Sequence, residues 1–256
     1  ITFADFMTTN AITAKVNSII GDDKRGARFV SGIISAVNTN PTLQECNNQS
    51  ILSAALLGES LNLSPSPQLG MYYMVPFNDK ERGKVAVFQL GWKGYYQLAL
   101  RSGQYKKLNV IEIKEGELVK WNPLEEEIEL NLIENDDERV KTKTIGYYAF
   151  YENLQGFRKA MYWSKEKMEH HALQYSMGYK AKKGYTFWEK NFDEMAKKTM
   201  LRQLISKYGV MSIDLQTAYL NDMAMIKEDG SQVYVDNQEE VEPKTEKVVK
   251  TLDDIE

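Results

Sequence analysis

The sequence holds one cysteine and two histidines among its 256 residues. With Cys46 alone, an internal disulfide and a thiolate zinc cluster are excluded, and the expectation is a reducing, intracellular compartment. His170 and His171 are neighbours, and adjacent side chains on a helix point about 100° apart, so the pair cannot easily grip one metal ion. No apolar run approaches the roughly 18–20 residues that cross a bilayer. No secretory pattern opens the chain at Ile1. The phosphate-cradling pattern G-x-x-x-x-G-K-[ST] is missing, which removes the sequence basis for a nucleotide-driven motor. Internal repeats are missing too.

What is present suits a folded domain, with 43% hydrophobic and 27% charged residues in a length that fits one large domain or two small ones. The net charge of −4 conceals a division. Residues 112–139 carry eleven acids against Lys114, Lys120 and Arg139, and residues 228–256 carry ten against Lys244, Lys247 and Lys250; the rest of the chain stands at +11. A basic body with two acidic annexes favours a polyanion partner.

The chain changes rhythm between residues 85 and 103. Val85, Val87, Phe88 and Leu90 suit a strand, whereas Trp92, Tyr95, Tyr96, Ala99 and Leu100 recur at helical spacing. Gly91 and Gly94 bracket the switch and Gly103 supplies a stop. Large rings beside Lys93 and Arg101 suit a polymer of flat bases on a charged backbone. Taken alone, the stretch reads first as a buried strand–helix corner with two solvated cations, since aromatic stripes at helical spacing are usually core.

Around it, helical spacing is predicted over 3–20, 25–37 and 50–61, with Thr42 and Glu45 reading as a capping box after Pro41. Pro65 and Pro67 end the fourth helix. Residues 71–77 and 84–90 form a predicted β-hairpin, followed by strands over 108–113, 128–132, 144–151 and 156–163 and an acidic loop or hairpin between. Ser164 caps a helix reaching Met177; a Gly- and Lys-rich loop spans 178–184; the strongest helix runs from Trp188 to Lys207, and a last one over 214–225. The reading is an α+β fold, helices on a small antiparallel sheet plus a β-hairpin, with residues 1–227 as one domain and 228–256 as an acidic, disordered tail.

Two patterns invite chemistry. Glu112-Ile113-Lys114 matches the Glu-x-Lys core of metal-dependent nucleases, where two carboxylates hold Mg²⁺ beside a lysine, but a partner aspartate is missing. Gly91-Trp92-Lys93-Gly94 fits the GXXG loop of KH domains, which lies between two helices rather than after a strand. The basic residues speak more strongly. Between residues 157 and 208 they greatly outnumber the acids, Lys182 and Lys183 included, and Lys198 and Arg202 share a helix face with Lys197 alongside and Trp188 at the entrance. Glu194, one turn before Lys198, is a candidate ion-pair partner for it.

From Thr42 to Ile205 the chain resembles the RecT family. The resemblance rests on Leu61-Asn-Leu-Ser-Pro65, Tyr73-Met-Val-Pro-Phe77, Phe88-Gln-Leu-Gly-Trp-Lys-Gly94, Arg101-Ser-Gly103, Trp188 and Met195-Ala-Lys-Lys-Thr199. It implies an ATP-independent annealing protein of phage or prophage origin in a bacterial cytoplasm. Such a protein binds single-stranded DNA, pairs it with its complement and holds the annealed duplex in a homo-oligomer, a ring or helical filament. The implied partners are a companion exonuclease and the host single-strand-binding protein. No cofactor, metal or catalytic residue is implied. Lys93, Arg101, Lys197, Lys198 and Arg202 match basic positions of the family's motifs, and Tyr73, Trp92, Lys106, Lys107, Lys182, Lys183 and Trp188 complete the expected DNA-binding set. The alternatives are a Mg²⁺-dependent nuclease built on Glu112 and Lys114, and a plain single-strand binder.

Overall fold

The computed structural model of the protein describes residues 1–79, 82–184, 186–226 and 232–234. Five helices come first: α1 (Phe3–Met7), α2 (Asn10–Ile20), α3 (Asp23–Asn38), α4 (Pro41–Gln44) and α5 (Asn48–Ser60). The single helix expected over 3–20 is two, because the hydroxyls of Thr8 and Thr9 take the Asp5 and Phe6 carbonyls at 3.0 and 2.9 Å and Thr9 turns extended. The expected Thr42–Glu45 capping box does not form either. Asn40 is the cap, its Oδ1 accepting from Leu43 N–H, and Pro41 fills the first helical turn, where a missing N–H costs nothing.

Strands β1 (Tyr72–Asp79) and β2 (Gly83–Leu90) pair antiparallel, placing Tyr73 opposite Gln89. Alternation sends Tyr72, Met74, Phe88 and Leu90 into the core and leaves Tyr73 and Gln89 on the other face. Helix α6 (Trp92–Arg101) follows at once. Then come β3 (Tyr105–Lys114), the hairpin β4 (Leu118–Asn122) with β5 (Glu127–Leu130), α7 (Asp136–Lys141), β6 (Thr144–Asn153) and β7 (Arg158–Ser164). The central sheet has the antiparallel order β3-β6-β7. One face joins the main core through Leu108, Val110, Tyr147 and Tyr151; the other, with Ile113, Tyr148 and Ala160, is covered by Trp121 and Ile128 of the β4–β5 hairpin. The architecture is therefore α+β, as the sequence predicts.

The acidic annex at 112–139 is ordered by one buried carboxylate. Glu117 is fully buried and accepts from Arg139 at 2.6 and 3.1 Å and from the backbone N–H groups of Lys114 and Ile133. Burial opposes its charge, but these donors hold its pKa below the usual carboxylate value.

Helices α8 (Lys165–Tyr175), α9 (Met177–Lys180), α10 (Phe187–Lys190), α11 (Phe192–Tyr208) and α12 (Ile213–Asn221) complete the helical part. The helix expected from Trp188 onward is interrupted at Asn191, whose φ of −140° and ψ of 58° separate α10 from α11. The expected final helix over 214–225 stops at Asn221, and Ala224–Ile226 is strand β8, paired with β9 (Gln232–Tyr234). The tail expected to be disordered from residue 228 thus contributes a short strand; its residues 228–231 and 235–256 lie outside the described residues.

Candidate nucleic-acid interface

The corner from β2 into α6 is built by glycines. A Cβ on Gly91 would stand 2.2 Å from the Gly70 carbonyl oxygen, and one on Gly94 would stand 2.2 Å from that of Met71. The backbone of residues 70–71 therefore lies directly on the start of α6, and Gly91 N–H donates to Met71 O at 2.9 Å. This close approach fixes the direction of the two side chains between the glycines. The strand before the motif and the absence of a preceding helix separate it from a KH loop.

Trp92 is half-buried and held on several sides. Its indole N–H donates to Glu194, Lys197 Nζ stands 4.8 Å from the ring centre and Lys93 Nζ 5.8 Å. Lys93 is exposed, whereas Lys197 is tied to Glu194 at 2.5 Å and to Glu112 at 3.4 Å. Glu194 therefore pairs one position away from the Lys198 partnership expected from spacing. Beside this group Tyr73 meets Phe187 at 5.4 Å between ring centres. Trp188 is 6% exposed and packs on Tyr179 and Phe192, so it supports the face from behind. Lys165 Nζ lies 5.1 Å from the Phe192 ring.

Lys198 and Arg202 require a correction. They do share a face, but it faces inward. Lys198 is 6% exposed and donates to Asp222 Oδ1 at 2.8 Å; Arg202 reaches Asp222 Oδ2 at 3.3 Å and Tyr95 Oη at 3.1 Å. Asp222 is fully buried and also accepts from Leu90 N–H at 2.9 Å. Two cations closed over one carboxylate are an internal ion-pair network, which ties α11 to β2 and to the segment after α12, rather than a solvent-facing strip.

The other expected residues fall in two places. Arg101 is exposed at the far end of α6, about 14 Å along the helix from Trp92, and Lys106 and Lys107 are exposed at the start of β3. Arg101 also donates to Leu61 O at 3.0 Å, and Lys106 pairs with Glu152 at 2.6 Å. Lys182 and Lys183 are exposed in the turn between α9 and α10, the helix whose Phe187 meets Tyr73. The structure thus brings together Tyr73, Trp92, Lys93 and Lys197 with Trp188 behind them. Sequence reasoning missed Phe187, Gln89 and Asp222; a glutamine inside the apolar run 85–90 was the available signal for the second.

The Glu-x-Lys pattern is satisfied within the protein. Lys114 Nζ donates to Glu112 at 2.7 Å and to Thr144 at 2.8 Å, while Lys197 takes the other Glu112 oxygen. Among the described residues no group of three histidines, cysteines or acids is placed to hold a metal ion. His171 sits between Trp163 and Tyr175, 5.5 and 4.5 Å from their rings, and burial lowers its pKa to about 4. Cys46 is buried and its thiol is raised to about 11.

The family model described as "RecT family" matches residues 27–245. The chain is also similar to the uncharacterized protein YqaK of Bacillus subtilis (strain 168), 38% identical over 221 residues that cover 86% of this chain and 72% of that one. Protein RecT of Escherichia coli (strain K12) is 30% identical over 198 residues, covering 76% of this chain and 70% of that protein.

Proposed function

The chain belongs to the RecT family of single-strand annealing recombination proteins, and from that premise we propose that it binds single-stranded DNA and speeds pairing with a complementary strand without ATP. The observation that carries the reading is the corner at Trp92, where an indole ring with Lys93 and Lys197 near it adjoins the Tyr73–Phe187 pair. Annealing breaks and makes no covalent bond, so it needs neutralised phosphates, which lowers repulsion between strands, and bases held for pairing. Exposed lysines serve the first need and rings the second. Lys93, Lys182 and Lys183 are the phosphate contacts nearest the corner in this reading, with Arg101, Lys106 and Lys107 extending the track. The same reading takes the working form as a homo-oligomer acting beside an exonuclease and the host single-strand-binding protein, in the cytoplasm of a bacterial cell.

Mixing two labelled complementary oligonucleotides without ATP or Mg²⁺, and following both duplex formation and strand length, tests it. The expected result is faster pairing than in protein-free solution, with lengths unchanged after Mg²⁺ is added. Slowed pairing would identify a plain single-strand binder, and shortened strands a nuclease.

A further inference from the structure

We propose that the cleft between the β1–β2 hairpin and the starts of α6 and α11 is a nucleobase pocket, which takes one unstacked base of a bound single strand. The proposal rests on the annealing reading and adds where a base is held. The cleft is a shallow slot open to solvent at its mouth rather than an enclosed cavity. Tyr73, Trp92 and Phe187 give it aromatic walls, and Gln89 and Asn191 give it amides.

Gln89 is the telling residue. It lies across the hairpin from Tyr73 and is 3% exposed. Among the described residues the only hydrogen bond of its side chain is Nε2 to the Met195 sulfur at 3.2 Å, a weak acceptor. Its side-chain oxygen accepts no hydrogen bond among the described residues and is not sealed from solvent, so it is available to a bound group. The helices that begin here are also unusual. Of the twelve described helices only α2, α6 and α11 lack a side-chain cap, and the cap residues of the last two, Gly91 and Asn191, line this cleft. Asn191, a residue type suited to capping, makes no capping bond and keeps its amide available.

The charges favour a base over a phosphate. Glu194 brings a negative charge to the lining, and the Lys198 ammonium beneath is already bound to Asp222. What remains is a flat, partly apolar slot with amide donors and acceptors, the combination that stacks on a base and bonds its edge. Exposed Lys93 stands at the Trp92 edge for the adjoining phosphate. A base already paired in a duplex cannot enter, so the pocket would distinguish single strand from product and release its base as pairing proceeds.

Fluorescence anisotropy of the full chain with two strands of equal length and charge, oligothymidylate and a strand of tetrahydrofuran abasic residues, tests the assignment. The wild-type protein is expected to bind the base-bearing strand about tenfold tighter. Gln89→Leu and Phe187→Ala, each checked for folding by circular dichroism, are expected to shrink that ratio severalfold by losing affinity for the base-bearing strand. Equal wild-type affinity for the two strands, or an undiminished ratio in both folded variants, would overturn the pocket; a wild-type protein that still speeds annealing would leave the broader reading standing. A protein that binds neither strand would overturn both.

Discussion

The same residue type does opposite work at two positions of one neighbourhood. Lys93 is exposed beside an aromatic ring, so its charge is available to a phosphate at little desolvation cost. Lys198 is buried and closed onto Asp222, so a phosphate could reach it only by breaking an internal ion pair. Lys93→Ala is therefore expected to weaken single-strand binding evenly across sequences and to reduce the slope of log affinity against log salt by about 1, with unfolding unchanged. Asp222→Ala should act on stability instead. It leaves Lys198 and Arg202 buried without their carboxylate and takes the acceptor from Leu90 N–H, a loss of about 3–5 kcal/mol. Salt titrations of binding and urea unfolding of both variants check the contrast. A flattened salt slope for a folded Lys198→Ala protein would put that lysine back at the DNA.

At the scale of the element, the strand-to-helix corner depends on contact between backbones. Alanine favours a helix over glycine by about 1 kcal/mol, so propensity alone makes Gly94→Ala stabilising. The corner argues the reverse, because the added carbon would meet the Met71 carbonyl oxygen at 2.2 Å and the Leu90 side chain at 2.7 Å. Overpacking against backbone costs about 1–3 kcal/mol. Gly94→Ala is expected to lower the urea midpoint and, by tilting α6, to weaken strand binding as well. A raised midpoint would mean that the corner yields. The break at Asn191 is the same kind of feature: it turns α10 so that Phe187 meets Tyr73 while α11 runs on with Lys197 toward Trp92.

For the whole molecule, charge is segregated by structure. The acids of residues 112–139 are partly consumed by Arg139, Lys114, Lys159 and Lys197, which leaves a lobe standing on the outer face of the sheet. Eight of the ten acids of the C-terminal segment follow β9, whose partner β8 succeeds the buried Asp222. Residues 235–256 carry eight acids and three lysines, a composition that offers docking to a partner or solubility rather than a core. A chain ending at Tyr234 is expected to fold and to anneal bare oligonucleotides, losing activity mainly on strands coated by the host single-strand-binding protein. Running the annealing assay with and without that coat measures the division. A folded truncation that fails on bare DNA would assign the segment to annealing itself.

Local chemistry alone settled the elements whose signals are periodic or steric: the hairpin at 72–90, the switch into α6 at Gly91, the Tyr-rich β6 and the Ser164 cap. The motifs from Leu61 to Thr199 also identified the family, which the match over residues 27–245 bears out. Direction was beyond the sequence. Spacing put Lys198 and Arg202 on one face, but only the arrival of Asp222 from twenty or more residues downstream turned that face inward. Spacing likewise left Gln89 as one polar residue in a strand, and packing of α10 and α11 over the hairpin made it the floor of a cleft. The reason is physical: periodicity records which side chains lie together, whereas burial and charge pairing depend on what the rest of the chain brings against them.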